Sequence, residues 1–358
     1  MRFQSRHLVA VTIASLFLSI FAFSQAPASQ PALDVRVVTD EADAALMILN
    51  KKREGQPIQE ADWQRLFSSE GYRRLKKREA EMKRAFTDEE FKAFILSDAL
   101  AEKAKAIEET LNNWKRADAT ASARLALAYL PKGARIRAKI YPVIKPRENS
   151  FVFEVKTDPA IFLYIDPSKT KEQFENMLAH ELHHIGFAAG CEPREKSVES
   201  SSLPSNLKTI LDWMSAFGEG AAMLAAAGGP DAHPHATSSA EDRARWDRDV
   251  ANFNQDLKKV EKFFLDILEK RLVKEDEVAQ AGYSFFGVQG PWYTVGWKMA
   301  VVIEKTYGRA RLIDSLCDRR MLLATYNGAA EKYNRQTGEH LALWSPQLIE
   351  ALTKAEKK

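Results

Sequence analysis

The stretch from Met177 to Phe187, MLAHELHHIGF, holds three of the chain's seven histidines within five positions. Histidines at i and i+4 suit two ligands of one metal ion. A helix turns about 100° per residue, so His180 and His184 stand about 40° apart and both imidazoles reach one Zn2+. Glu181 sits about 100° from His180, beside the pair, where a carboxylate can serve as base toward a water on the metal. Together these residues spell H-E-x-x-H, and the chemistry they suggest is hydrolysis by metal-activated water. The competing reading is an ordinary helix with surface histidines.

Position on the helix favours the first reading. Phe174, Leu178, Leu182 and Ile185 fall on one side and form a core face, with His180, Glu181 and His184 at its margin. His183 projects about 60° from His180, away from that face, and is expected at the surface or as a supporting neighbour. Asn176, one turn before His180, is expected to support the site or to face solvent. The helix should begin near Lys171 and end at a Gly190 turn.

A zinc site that hydrolyses keeps three protein ligands and one open position. The extended pattern H-E-x-x-H-x-x-G-x-x-H fails here, because Phe187 occupies the glycine slot and Gly190 the last histidine slot. The third ligand must come from elsewhere. Glu192, Glu195 and Glu199 follow the expected helix end, and His233 and His235 lie in the loop PDAHPHATSS. Glu219 is the strongest candidate: a lone glutamate in the Ala-rich SAFGEGAAML is costly to bury unless paired or bound to metal. Ser215, Ala216, Ala222 and Ala226 are small enough to let its helix approach the motif helix. The alternative for Glu219 is a salt-bridged or surface carboxylate.

The elements that must position these groups follow from periodicity. Residues 39 to 130 read as a helical N-terminal subdomain, with Thr87 and Glu90 spelling a capping box. From Pro131 the character changes. ARIRAKIYPVI, SFVFEVK and AIFLYIDP read as strands, the last ending shortly before the motif helix. NLKTILDWMSAFGEGAAMLAAAGG reads as one long helix, Ser239 as an N-cap, and PWYTVGWKMAVVIEKTYG as a helix from Pro291 to a stop at Gly308. The expected fold is α+β and predominantly helical. A small sheet packs on the motif helix, and residues 131 to 358 form a catalytic region continuous with the helical part.

The 358 residues are 45% hydrophobic and 28% charged, a globular composition. The net charge of +3 leaves no nucleic-acid footprint, and basic runs such as YRRLKKREAEMKR are interleaved with acids. Residues 1 to 26 read as a signal peptide: Arg2, Arg6 and His7, an apolar run from Leu8 to Phe23, then SQAPASQ, with cleavage between Ser24 and Ala28. The run is short for a membrane anchor. The chain is expected to be exported, periplasmic or extracellular, with no membrane span after cleavage. Residues 27 to 38 read as a flexible lead-in. Cys191 and Cys317 are either a disulfide or two buried thiols.

HELHH with a downstream helical GEGAA resembles the gluzincin group of zinc metallopeptidases, whose third ligand is a glutamate on a later helix. More narrowly, the chain resembles an uncharacterised bacterial family described as zinc-dependent peptidases. SSEGYRRLKKRE, the strand before the motif, GEGAA and YTVGWKMAVVIEKTYGRARLIDSL carry that likeness over most of the mature chain. The resemblance implies a zincin-like fold, with zinc on His180, His184 and Glu219. It implies that Glu181 activates the water and then passes its proton to the leaving amine. It also implies that AIFLYI is a sheet edge to which an extended peptide adds. Glu219 comes 35 positions after His184, a longer spacing than in the best-known gluzincins.

Tyr293 sits where related families place a tyrosine shortly before a glycine, which makes it the candidate donor to the oxyanion. Tyr283 and His233 are alternatives, as is a core role for Tyr293. The expected activity is that of an exported zinc peptidase acting on peptide or protein substrates. The alternatives are a zinc hydrolase of a non-peptide substrate, a non-catalytic zinc protein, and an α-helical interaction module.

Overall fold

The computed structural model describes residues 32–199 and 203–354. The signal sequence read over residues 1 to 26 lies outside the described residues, as does the lead-in up to residue 31.

Strand β1, Leu33–Val37, opens the described chain. Six helices follow: α1 (Asp40–Arg53), α2 (Glu60–Ser68), α3 (Glu70–Glu81), α4 (Asp88–Ile95), α5 (Asp98–Trp114) and α6 (Ala119–Leu127). Thr87 closes the expected capping box, accepting from the Glu90 N–H at 3.1 Å while Glu90 accepts from the Thr87 N–H at 2.7 Å. Three strands come next, β2 (Ile136–Val143), β3 (Phe151–Phe153) and β4 (Ala160–Tyr164). The motif helix α7 (Lys171–Glu199) begins where expected.

The C-terminal half is helical: α8 (Ser205–Met214), α9 (Gly218–Ala227), α10 (Ala240–Ala251), α11 (Phe253–Leu268), α12 (Glu275–Ser284), α13 (Pro291–Tyr307), α14 (Arg309–Cys317), α15 (Arg319–Thr337) and α16 (Pro346–Lys354). Ser239 caps α10 through the Asp242 N–H at 3.0 Å, and α13 starts on Pro291 and stops at Gly308, whose φ is +86°. Among the described residues no helix is long and apolar enough to cross a membrane.

The strands form one mixed sheet in the order β1-β2-β4-β3, parallel except for β3 against β4. Two expectations change here. The lead-in is ordered from residue 33, because Leu33, Val35 and Val37 pack on the core while β1 pairs in register with β2. And β4 is not an edge: β2 pairs along its whole length and β3 covers Ala160–Phe162 on the other side.

Two apolar cores flank α7. The first joins the sheet to α1–α6 and takes in Phe174, Leu178, Leu182 and Ile185, the face expected from the sequence. The second is built by α8, α9 and α11–α16 around α13, with Trp292, Phe217, Phe264 and Trp344 at its centre. Three further expectations are corrected, the first two by the position of α7 between two cores. His183 is 1% exposed rather than at the surface, stacked on Phe187 with ring centres 5.7 Å apart. The helix continues through Gly190 to Glu199. Gly186 and Gly190 lie where a Cβ would press on Leu130, Pro131 and Ala134, so these glycines permit close packing rather than end the helix. The expected single helix over 206 to 229 is split by a 3-10 turn at Ser215–Phe217, which separates α8 from α9.

Cys191 in α7 and Cys317 in α14 form a disulfide with Cα atoms 5.1 Å apart. It joins the far end of the motif helix to the second core.

Candidate metal centre and cleft

His180 and His184 stand one turn apart on α7, and Glu219 reaches them from the first turn of α9. The approach of α9 is set by glycine. Gly220 meets the α13 backbone so closely that a Cβ there would collide with Trp297 N and Gly296 C and stand 2.6 Å from Tyr293 O. Gly296 faces it, its own Cβ position 3.3 Å from the Gly220 Cα. This crossing brings Glu219, next to Gly220, and Tyr293, one turn before Gly296, to the same place. Asn176 adds a tie from α7, donating its Nδ2 hydrogen to the Ala226 carbonyl at 3.3 Å near the end of α9.

The three side chains present one atom each to a common point. His180 Nε2 lies 3.1 Å from Glu219 Oε2, His184 Nε2 lies 3.3 Å from the same oxygen, and the two Nε2 atoms are 3.0 Å apart. Ligand atoms about 2.0–2.1 Å from a tetrahedral zinc stand about 3.3 Å from one another. The donor chemistry fits as well. Two imidazole lone pairs and a carboxylate oxygen converging in a half-buried place repel one another unless a cation or shared protons stand between them. His180 Nδ1 is buried without a partner among the described residues.

The electrostatics of the cluster follow from burial and from the contacts of its side chains with one another. Burial works to raise the Glu219 carboxyl, but hydrogen bonds and charge from His180 and His184 hold it well below the ordinary carboxylate range. Burial works to lower His184, and the Glu219 hydrogen bond with the Glu219 and Glu181 charges outweighs it, so its pKa is raised. His183 goes the other way: burial, and then the neighbouring His184 and His180, push it down to about 3. It is a neutral packing residue.

The cluster opens into a cleft of about 490 Å3, within the range of small-ligand sites. Its floor is a stripe of α7, Gln173, Asn176, Met177, His180 and Glu181, spaced as one helix face. Met223, His235, Arg245, Gln289 and Tyr293 stand around it. No strand lines the cleft among the described residues. The ring of Tyr293 lies roughly parallel to that of His180, 6.5 Å between centres. Burial first, then Glu219 and Glu181, push the Tyr293 phenol well above its usual range, which keeps it a hydrogen-bond donor.

Of the other candidates, His233 pairs with Asp247 at 3.0 Å and is not in the cluster, and Tyr283 is 66% exposed. The Glu195 and Glu199 side chains lie outside the described residues, and Glu192 is not in the cluster. The sequence reading missed His235 as a cleft residue; it weighed this histidine only as a ligand. His235 is 6% exposed and its Nδ1 lies 3.0 Å from Ser238 Oγ. The short motif-like loop around it carried no periodic signal that would have aimed it.

A family described as "Putative zinc dependent peptidase (DUF5700)" matches residues 63–335. The match spans about three-quarters of the chain and includes the three clustered residues, Glu181 and Tyr293. No curated protein and no solved structure matches the chain.

Proposed function

The chain belongs to this family, and from that premise we propose that it is an exported zinc-dependent peptidase with a zincin-like catalytic region. His180, His184 and Glu219 would hold the metal. The observation that carries the reading is the convergence of these three donor atoms beside Glu181 and Tyr293 at one end of a cleft. When bound, zinc supplies the Lewis acidity that polarises a carbonyl and makes water a nucleophile at neutral pH.

The chain's own residues do the rest. Glu181 follows His180 on the same helix and lines the cleft, so its carboxylate can take a proton from the attacking water. The same carboxyl then returns the proton to the leaving amine. Tyr293 donates its hydroxyl hydrogen to the carbonyl oxygen as negative charge develops there. With no strand on the cleft lining among the described residues, substrate is held by side chains of helices and loops rather than by strand addition. Export is supported by the apolar run behind Arg2 and Arg6 and by the Cys191–Cys317 bridge, which suits an oxidising compartment.

The test is Glu181→Gln in the mature protein, with zinc content and hydrolysis of a peptide library measured together. The expected result is wild-type zinc with hydrolysis lost. Wild-type turnover in Glu181→Gln, or no zinc in the unaltered protein after reconstitution, would overturn the reading. The N-terminal mass of protein recovered outside the cytoplasm tests export.

A further inference from the structure

Lys145 lies two residues past the end of β2 and is 3% exposed. Its ammonium donates to the Arg147 carbonyl and, at 2.7 Å, to Asn149 Oδ1. The rings of Phe151 and Tyr164 lie 5.5 and 6.0 Å away. All four are neutral, and among the described residues no carboxylate lies within ion-pair distance of Lys145. A buried ammonium left this way is costly, and aromatic faces offset only part of that cost. Burial lowers its pKa to about 8, so it is still mostly charged at neutral pH.

Beside Lys145 is a pocket of about 190 Å3 with an apolar wall of Leu75, Phe86, Phe91 and Pro146 and with Arg147 on its lining. The two acids that also line it are engaged. Glu79 pairs with Arg78 and Arg84, and Glu90 closes the Thr87 cap. The exposed Arg147 guanidinium has no carboxylate partner among the described residues. The pocket shares no residue with the metal cleft and belongs to the first core, between α3, α4 and the end of β2.

An apolar cavity of about 150 Å3 holds one benzene ring. We propose that this pocket binds a small organic acid with an apolar body of about six to eight carbons. The body rests on Leu75, Phe86 and Phe91, and the carboxylate answers Lys145 and Arg147. The charge pattern favours an anion: an apolar wall and two cations without an acidic partner among the described residues, against Glu79 already paired with Arg78 and Arg84 and Glu90 held at the Thr87 cap.

The probes are phenylacetate and phenethylamine, which share an aromatic body and carry opposite charge. Each is titrated into the mature zinc-loaded chain by calorimetry, with thermal midpoints alongside. Phenylacetate is expected to bind saturably and to raise the midpoint, with phenethylamine at least roughly tenfold weaker. Lys145→Met, checked for folding by circular dichroism, should weaken phenylacetate by roughly tenfold or more. Because a carboxylate can also ligate zinc, the titration is repeated on Glu219→Ala, where binding should persist. No phenylacetate binding at millimolar concentration, equal binding of phenethylamine, or loss of binding in Glu219→Ala would each overturn the proposal. The phenethylamine comparison stands even if Lys145→Met fails to fold.

Discussion

Gly220 of α9 and Gly296 of α13 meet backbone to backbone, each filling the place where the other's neighbours would accept no Cβ. Glu219 and Tyr293 hang on either side of that crossing, so the distance between two helices sets where the Glu219 carboxylate and the Tyr293 hydroxyl stand. Gly220→Ala forces the helices apart and is expected to destabilise the fold by about 1–3 kcal/mol. It should also weaken zinc binding although no ligand is altered. Zinc titration and a denaturation curve on the variant check both effects; unchanged affinity would mean that the crossing does not position Glu219.

Tyr293→Phe removes the hydroxyl and keeps the ring beside His180. The expected result is a fall in kcat of roughly 10²–10³ with zinc retained and KM little changed. Steady-state kinetics on any cleaved peptide measures it. Equal loss of zinc would move Tyr293 from donor to packing residue.

Glu41 gives the fold a pH dependence remote from the cleft. It is buried in α1, with Oε2 accepting from the Ile144 N–H at 3.0 Å and Oε1 without a partner among the described residues. Burial, with Asp40 and Asp43 nearby, raises its pKa from 4.5 to about 8. Between those values the native state holds a proton that the unfolded chain has released, so stability falls as pH rises from about 4.5 to about 8. Lys145, lowered from 10.5 to about 8, works in the opposite sense above pH 8, where the unfolded chain holds the extra proton. Urea midpoints across the range should therefore pass through a minimum near pH 8. Glu41→Gln should flatten the acid limb and add stability at pH 8 on the order of a few kcal/mol.

The Cys191–Cys317 bridge closes a loop of 126 residues between α7 and the second core. Cys191→Ser with Cys317→Ser is expected to cost about 2–5 kcal/mol of stability, read from denaturant midpoints. Because the bridge sits at the end of α7 away from Glu181, zinc stoichiometry should survive in the folded variant.

Much of this protein is written in local sequence. The i, i+4 histidines, the core face of Phe174, Leu178, Leu182 and Ile185, the Thr87–Glu90 box, the start at Pro291 and the stop at Gly308 all appear where spacing places them. Each depends on residues within a turn or two, and helical periodicity, capping chemistry and backbone preference act over that range.

Tertiary packing decided the rest. From sequence, Glu219 was one of several carboxylates and histidines that could complete the set; the Gly220–Gly296 approach is what brings it to His180 and His184. A single helix wheel assumes one core, and α7 lies between two, which buries His183 and carries the helix past Gly190. Pairing partners decide whether a strand is an edge, and AIFLY alone does not reveal that Phe151–Phe153 returns to cover it. The same holds for Cys191 and Cys317, whose meeting depends on how the far end of α7 packs against α14. A local signal specifies what a segment is; which segments meet depends on shape complementarity between parts of the chain far apart in sequence, which residue spacing does not carry.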